Sequence, residues 1–98
     1  ISSLNSSGKI YIDQGAARAL NEGKSLLPAG IIKVEGSFEK GANILIVDEN
    51  EKSLARGLSS FTSSEINKIK GKQSKEIENI LGYLSKSEII HKDDMVKL

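Results

Sequence analysis

Apolar positions change period several times along this chain, and each change marks an element. Residues 1–8 are serine-rich and aperiodic, and read as the remnant of a linker. Residues 9–12 alternate polar and apolar, the pattern of a short half-buried strand. Ala16, Ala19 and Leu20 then fall on one face of a helix. Asp13 is placed to accept that helix's free N–H groups, and Gly23 to end it in the left-handed region. The small alanines predict a close approach to a sheet. Residues 31–34 form a second strand, and a turn over residues 35–41 tucks Phe38 inward. The third strand, residues 42–47, is apolar on both faces and should be central and buried. Residues 48–52 make a polar hairpin loop, with Asn50 able to take a left-handed conformation. On the returning strand, residues 53–59, Leu54, Arg56 and Leu58 share one face, and Ala55 and Gly57 the other.

The last third turns helical. Thr62 and Glu65 have the spacing of a capping box ahead of an apolar stripe, Ile66 and Ile69, and Gly71 ends that helix. Ser74 is placed to cap the next, in which Ile77, Ile80, Leu81 and Leu84 follow the i, i+3, i+4, i+7 rule and Gly82 is the stop. Residues 88–91 read as a strand and residues 95–98 as a final one. So many short strands with few helices predict a mixed, mainly β domain, most economically buried as a partly closed barrel.

One stretch organises the rest. Residues 23–36, GKSLLPAGIIKVEG, contain the only proline, Pro28. Pro28 fixes one backbone angle and holds Leu27 extended, and Gly30 frees the chain to enter the second strand. Leu26 and Leu27 are both expected to plug into the core. A segment so constrained is either a packing device or a backbone surface shaped for a ligand, and its rigidity favours packing.

Composition narrows the chemistry. A chain of 98 residues, 38% apolar and 28% charged, suits one soluble domain. Having no cysteine, it offers neither disulfide nor thiolate chemistry, which fits a reducing compartment. No apolar run approaches the roughly 18 residues of a membrane span, and no signal peptide is visible, so no membrane partner is expected. The first residue is Ile1, not methionine, which reads as a piece of something longer. Fourteen basic side chains face 13 acidic ones, a balance that gives nucleic acid no strong field to follow. Only Arg18 and Arg56 are arginines, and Tyr11, Phe38, Phe61 and Tyr83 are a thin supply of stacking platforms.

Individual motifs are weak. Gly23-Lys24-Ser25 looks like the end of a phosphate loop, but Arg18 stands where the motif needs glycine, and this GKS closes a helix rather than opening one. Gly36 and Gly41 have the same spacing, without the lysine and hydroxyl residue that must follow. His91 is a single histidine; without cysteines it makes no zinc site, and Asp93 and Asp94 beside it fit a surface turn. Nothing places a serine nucleophile on a strained elbow. Lys68, Lys70, Lys72 and Lys75 are the densest basic patch, but Glu65, Glu76 and Glu78 lie alongside, and the patch reads as a solvated face. Arg56, among leucines, reads as a snorkelling side chain or one paired with Glu35 or Asp48. No catalytic, cofactor-binding or metal residue is assigned.

The segments GAARAL, GKSLLPAGI, VEGSFEKG, ARGLSSF, SKEIENILGY and EIIHKDD follow one another as in the C-terminal PUA domain of the glutamate 5-kinase family, which this chain resembles from about Gly8 to Leu98. It departs at Phe61, Lys92 and Asp94, where tyrosine, arginine and asparagine are common. The resemblance implies a PUA-like pseudo-barrel of about five or six strands over residues 9–98. It implies a cytoplasmic parent enzyme that phosphorylates the side-chain carboxylate of L-glutamate with ATP and magnesium, the first step of proline synthesis. The catalytic residues would lie in an upstream amino-acid-kinase domain, the expected partner, leaving this fragment a monomeric accessory or regulatory domain. An RNA-binding role, as in other PUA domains, is the alternative. There the loop between the first helix and second strand approaches RNA through its backbone. In this sequence that loop is Lys24, Ser25, Pro28, Ala29 and Gly30, the candidate RNA or interdomain contact, with Arg56 and Lys72 as further candidates.

Overall fold

The chain was described as a computed structural model that covers residues 7–83 and 86–98. Residues 1–6 of the expected linker and Leu84 of the expected helical stripe lie outside the described residues. Five strands form one sheet in the order β2-β1-β3-β4-β5: β1 (Gly8–Ile12), β2 (Ile31–Glu35), β3 (Asn43–Val47), β4 (Ser53–Leu58) and β5 (Met95–Lys97). β1 and β3 run parallel, and every other neighbouring pair is antiparallel. The strand expected to be central is central: β3 lies in the middle of the sheet, with Ile44 and Ile46 wholly buried. Alternation sends Ile10, Ile46 and Ala55 to the inner face as one row across three strands.

The short helices cover this inner face. α1 (Gln14–Asn21) starts as its sequence predicts, with the Asp13 carboxylate accepting from the Ala16 N–H at 2.8 Å. A cap of this kind contributes about 0.5–2 kcal/mol. It ends at Gly23, whose φ of +83° lets its N–H donate to Leu20 and the Lys24 N–H to Ala19, both at 3.0 Å. α2 (Ser63–Ile69) carries the expected capping box between Thr62 and Glu65, and buries Ile66 and Ile69. α3 (Ile77–Leu81) stops at the left-handed Gly82.

Four local expectations are corrected. Residues 88–91 do not form a strand; Ile90 makes a single bridge to Leu26, and a 3₁₀ turn at Lys92–Asp94 leads on to β5. Ile89 and Ile90 are both wholly buried, so the apolar run that suggested a strand reports burial instead. In the hairpin loop the left-handed residue is Glu51, at φ +64°, not Asn50. The Asp48 side chain accepts from the N–H groups of Asn50 and Lys52 and moves the reversal one residue on. Ser74 does not cap α3 but begins a 3₁₀ turn, while Glu76 accepts from the Gln73 N–H ahead of it. Finally, the alanines of α1 approach a loop as well as the sheet: Ala16 packs against Gly30.

The Leu26–Ile90 bridge matters for architecture. Leu26 leads into β2 and Ile90 into β5, the two edge strands. Paired, these lead-in segments draw the edges together, and the sheet becomes an incompletely closed barrel around one apolar cluster.

On the outer face of β1, Tyr11 lies between Lys33 and Lys9, 5.1 and 5.8 Å from its ring centre, and donates to Glu51 at 3.1 Å. Loss of water around the phenol, then the bond to Glu51, push Tyr11 up to about 12. Tyr83 is also raised, first by its bond to Glu65. Because the folded value lies above the ordinary 10, the Tyr11 contribution is complete below pH 10 and is lost as pH rises through about 12. Ultraviolet titration of the phenolate band is expected to show both phenols ionising late, with Glu51→Gln bringing Tyr11 down. Two phenols titrating at the free value would mean that neither bond persists in solution.

Candidate functional site

A concavity is built where α1 meets the loop that follows it. Asp13, Gly15, Ala16 and Ala19 line one side, and Lys24 to Leu27 with Ala29 and Gly30 line the other, around a groove of about 320 Å³. Its narrow end is set by one contact. A Cβ on Gly30 would stand 2.4 Å from the Ala16 Cβ, so only glycine lets helix and loop approach this far. Gly30 is needed for that proximity, not for an unusual backbone angle. The Asp13 N–H donates to the Gly30 carbonyl at 3.0 Å and closes the same end.

The loop is pinned from behind. Leu26 is buried and exchanges hydrogen bonds with the Ile89–Ile90 segment at 2.7 and 3.0 Å. The Lys92 N–H donates to the Ser25 hydroxyl at 2.8 Å. Pro28 is buried at the first position of a 3₁₀ turn, and its carbonyl accepts from the Gly71 N–H at 2.7 Å. Leu27 departs from expectation: it does not plug into the core but is 45% exposed on the groove wall. Proline holds Leu27 extended, at φ −106° and ψ 153°, and successive side chains of an extended segment point opposite ways. With Leu26 inward, Leu27 must face out.

Of the residues singled out from sequence, Lys24, Ser25, Ala29 and Gly30 meet in this groove. Pro28 lies buried beneath it. Lys72 is exposed just past Gly71, beside the Pro28 contact. Arg56 belongs elsewhere, on the outer face of β4 between Leu45 of β3 and Val96 of β5. The helix wall was missed, though its signal was present: small residues at Gly15, Ala16 and Ala19 clear the space that the loop leaves.

Chemically the groove is mostly apolar and its charges are already engaged. Asp13 caps α1, and the Lys24 ammonium sits 3.3 Å from Glu22. The N–H groups of Lys24, Leu26 and Gly30 are taken by the carbonyls of Ala19, Ile90 and Leu27. Such a groove suits an apolar side chain or a small aliphatic group better than a phosphate. Among the described residues, no three histidine, aspartate or glutamate side chains come together to hold a metal. No described helix is long and apolar enough to cross a membrane.

Residues 8–81 match the PUA domain family. A glutamate 5-kinase of Pelagibacter ubique is 59% identical over 98 residues, covering 100% of this chain and 27% of that protein. One from Thermoanaerobacter sp. is 50% identical over 93 residues, covering 94% of this chain and 25% of its own length. The chain thus spans about a quarter of the length of the curated relatives it matches. Among solved structures, a PUA domain from Aeropyrum pernix, in complex with tartrate, superposes with a TM-score of 0.64 at 24% identity, over 87% of this chain and 41% of that one. An H/ACA RNP bound to a substrate RNA contains a similar fold, with a TM-score of 0.58 at 27% identity, over 60% of this chain and 19% of that one.

Proposed function

Since the chain belongs to the PUA domain family, we propose that it is the accessory domain of a glutamate 5-kinase, packed on the kinase domain of the same chain and tuning its activity. The observation that carries this reading is identity of 50–59% to glutamate 5-kinases over nearly all of this chain but only about a quarter of theirs. The parent transfers phosphate from ATP to the side-chain carboxylate of L-glutamate in the cytoplasm, at the start of proline synthesis. Phosphoryl transfer needs cations positioned around the phosphates. The groove offers one lysine, beside Glu22, and no metal-binding cluster is found among the described residues. On this reading ATP and magnesium are held by the upstream part, and the groove serves regulation or contact.

Two measurements test this. Calorimetry of the 98-residue chain with Mg-ATP is expected to show no saturable binding; micromolar binding would overturn the assignment. In the full-length enzyme, removing residues 8–98 is expected to leave phosphoryl transfer in place while changing its response to effectors. Kinetics and effector response that are both unchanged would remove the regulatory role.

A second reading is RNA binding, favoured by the similar fold in a ribonucleoprotein bound to substrate RNA and by Lys24 at the groove. Replacing Lys24 and Lys72 by alanine would then weaken binding with melting unchanged, and each lost phosphate contact would lower the salt slope by about one. The engaged N–H groups and the Glu22–Lys24 pair favour the accessory reading.

A further inference from the structure

The outer face of the sheet is divided in two. Over β2 and β1 it is polar and self-satisfied: Lys33 pairs with Glu35 at 3.0 Å, Lys9 with Glu51 at 3.8 Å, and Tyr11 lies between the lysines. Over β3, β4 and β5 apolar side chains surround Arg56. Leu45, Arg56 and Val96 form a row across three strands, and Leu58 stands one row along, opposite Asn43. Leu58 is 48% exposed, Val96 67%, and Leu98, two residues beyond Val96, 64%. Scattered apolar side chains on a surface are ordinary, but several gathered on one face of a sheet mark a surface that is covered in use.

The chain's own path says what covers it. The Ser7 N–H donates to the Asn43 carbonyl at 2.8 Å, so whatever precedes residue 7 joins the domain at the row that holds Leu58. The relatives extend over roughly three quarters of their length beyond the matched part. We propose that the outer face of β3, β4 and β5, centred on Leu58 and Val96, is the seat of the upstream kinase domain. This rests on the accessory-domain reading above. A partner tethered at the edge of an apolar patch meets it at high effective concentration, so even a small contact is occupied.

The test uses the full-length enzyme with Leu58→Glu and Val96→Glu together. Limited proteolysis of the connection ahead of Ser7 is expected to quicken by about tenfold or more. Hydrogen exchange at Ile46 is expected to stay protected, which shows the domain itself intact. Lys9→Glu with Lys33→Glu, on the polar half, is the control and should leave cleavage unchanged. If the two glutamates unfold the domain, serine at both positions is expected to give the same acceleration. Equal cleavage of variant and unmodified enzyme would overturn the proposal. So would a change of oligomeric state in place of faster cleavage, because the occupant would then be a second copy. Removal of residues 8–98 separates the premise: if that changes effector response while the glutamates change nothing, the accessory role stands and this seat does not.

Discussion

Ile46→Ala is expected to destabilise the domain by roughly 2–5 kcal/mol, the range for truncating a wholly buried isoleucine. Three features place it high in that range. Ile46 lies on β3, with strands hydrogen-bonded on both sides, so the backbone around it has little freedom to collapse. Its row partners are Ile10 and Ala55, and alanine is too small to swing into the vacated space. The inner face above it is covered by a continuous apolar cluster that includes Phe61 and Ile66, already close-packed. A domain of this size has about 5–15 kcal/mol in all. At about 4–8 °C per kcal/mol, the melting midpoint should fall by at least roughly 8 °C, as read by circular dichroism. A shift of one or two degrees would mean that β3 is not the central strand.

The second large effect belongs to Gly30→Val. The first atom added collides with the Ala16 Cβ at 2.4 Å and comes within 3.5 Å of the Asp13 carboxylate. Helix and loop must part, and the Asp13–Gly30 hydrogen bond and the α1 cap lengthen with them. Overpacking of this kind costs about 1–3 kcal/mol or more, and a weakened cap adds to it. Because the cause is a collision and not a forbidden backbone angle, it can be relieved. In a double-mutant cycle, Gly30→Ala should cost clearly less in an Ala16→Gly background than in the unmodified chain. The same cost in both backgrounds would show that Ala16 is not what glycine makes room for. Either substitution should also distort the groove, since Ala16 and Gly30 both line it.

What could be read from the sequence was what local chemistry decides. Gly23, Gly71 and Gly82 all take the left-handed region where helices were expected to stop, and Asp13 and Thr62 cap where they were expected to cap. The apolar run of β3 announced its central place because no surface strand tolerates such a run. What failed depended on partners distant in sequence. Segment 88–91 has the composition of a strand, yet its one bridge is to Leu26, some sixty residues away, its Ile89 carbonyl accepts from the Ser60 N–H, and nothing local signals either partner. The parallel pairing of β1 with β3 is of the same kind. Leu27 failed for another reason: its hydrophobicity suggested burial, while the extended geometry imposed by Pro28 put Leu26 and Leu27 on opposite sides. For the candidate site, the loop was legible from Pro28 and its flanking glycines, and the facing helix wall was not, since alanines that empty a space leave a fainter mark than residues that fill one.

The bridge between Leu26 and Ile90 also sets an order of events. Loop and C-terminal segment meet through Leu26 with Ile89 and Ile90, and through the Ser25 hydroxyl with the Lys92 N–H. During synthesis, α1 and the loop emerge first and must wait some sixty residues more before the groove's rear wall exists. Contacts between residues so far apart in sequence form late. A chain cut short before Ile89 can therefore make α1 and β1 to β4 but not a finished groove. Whatever docks in that groove would, in effect, be reading whether segment 89–92 has taken its place.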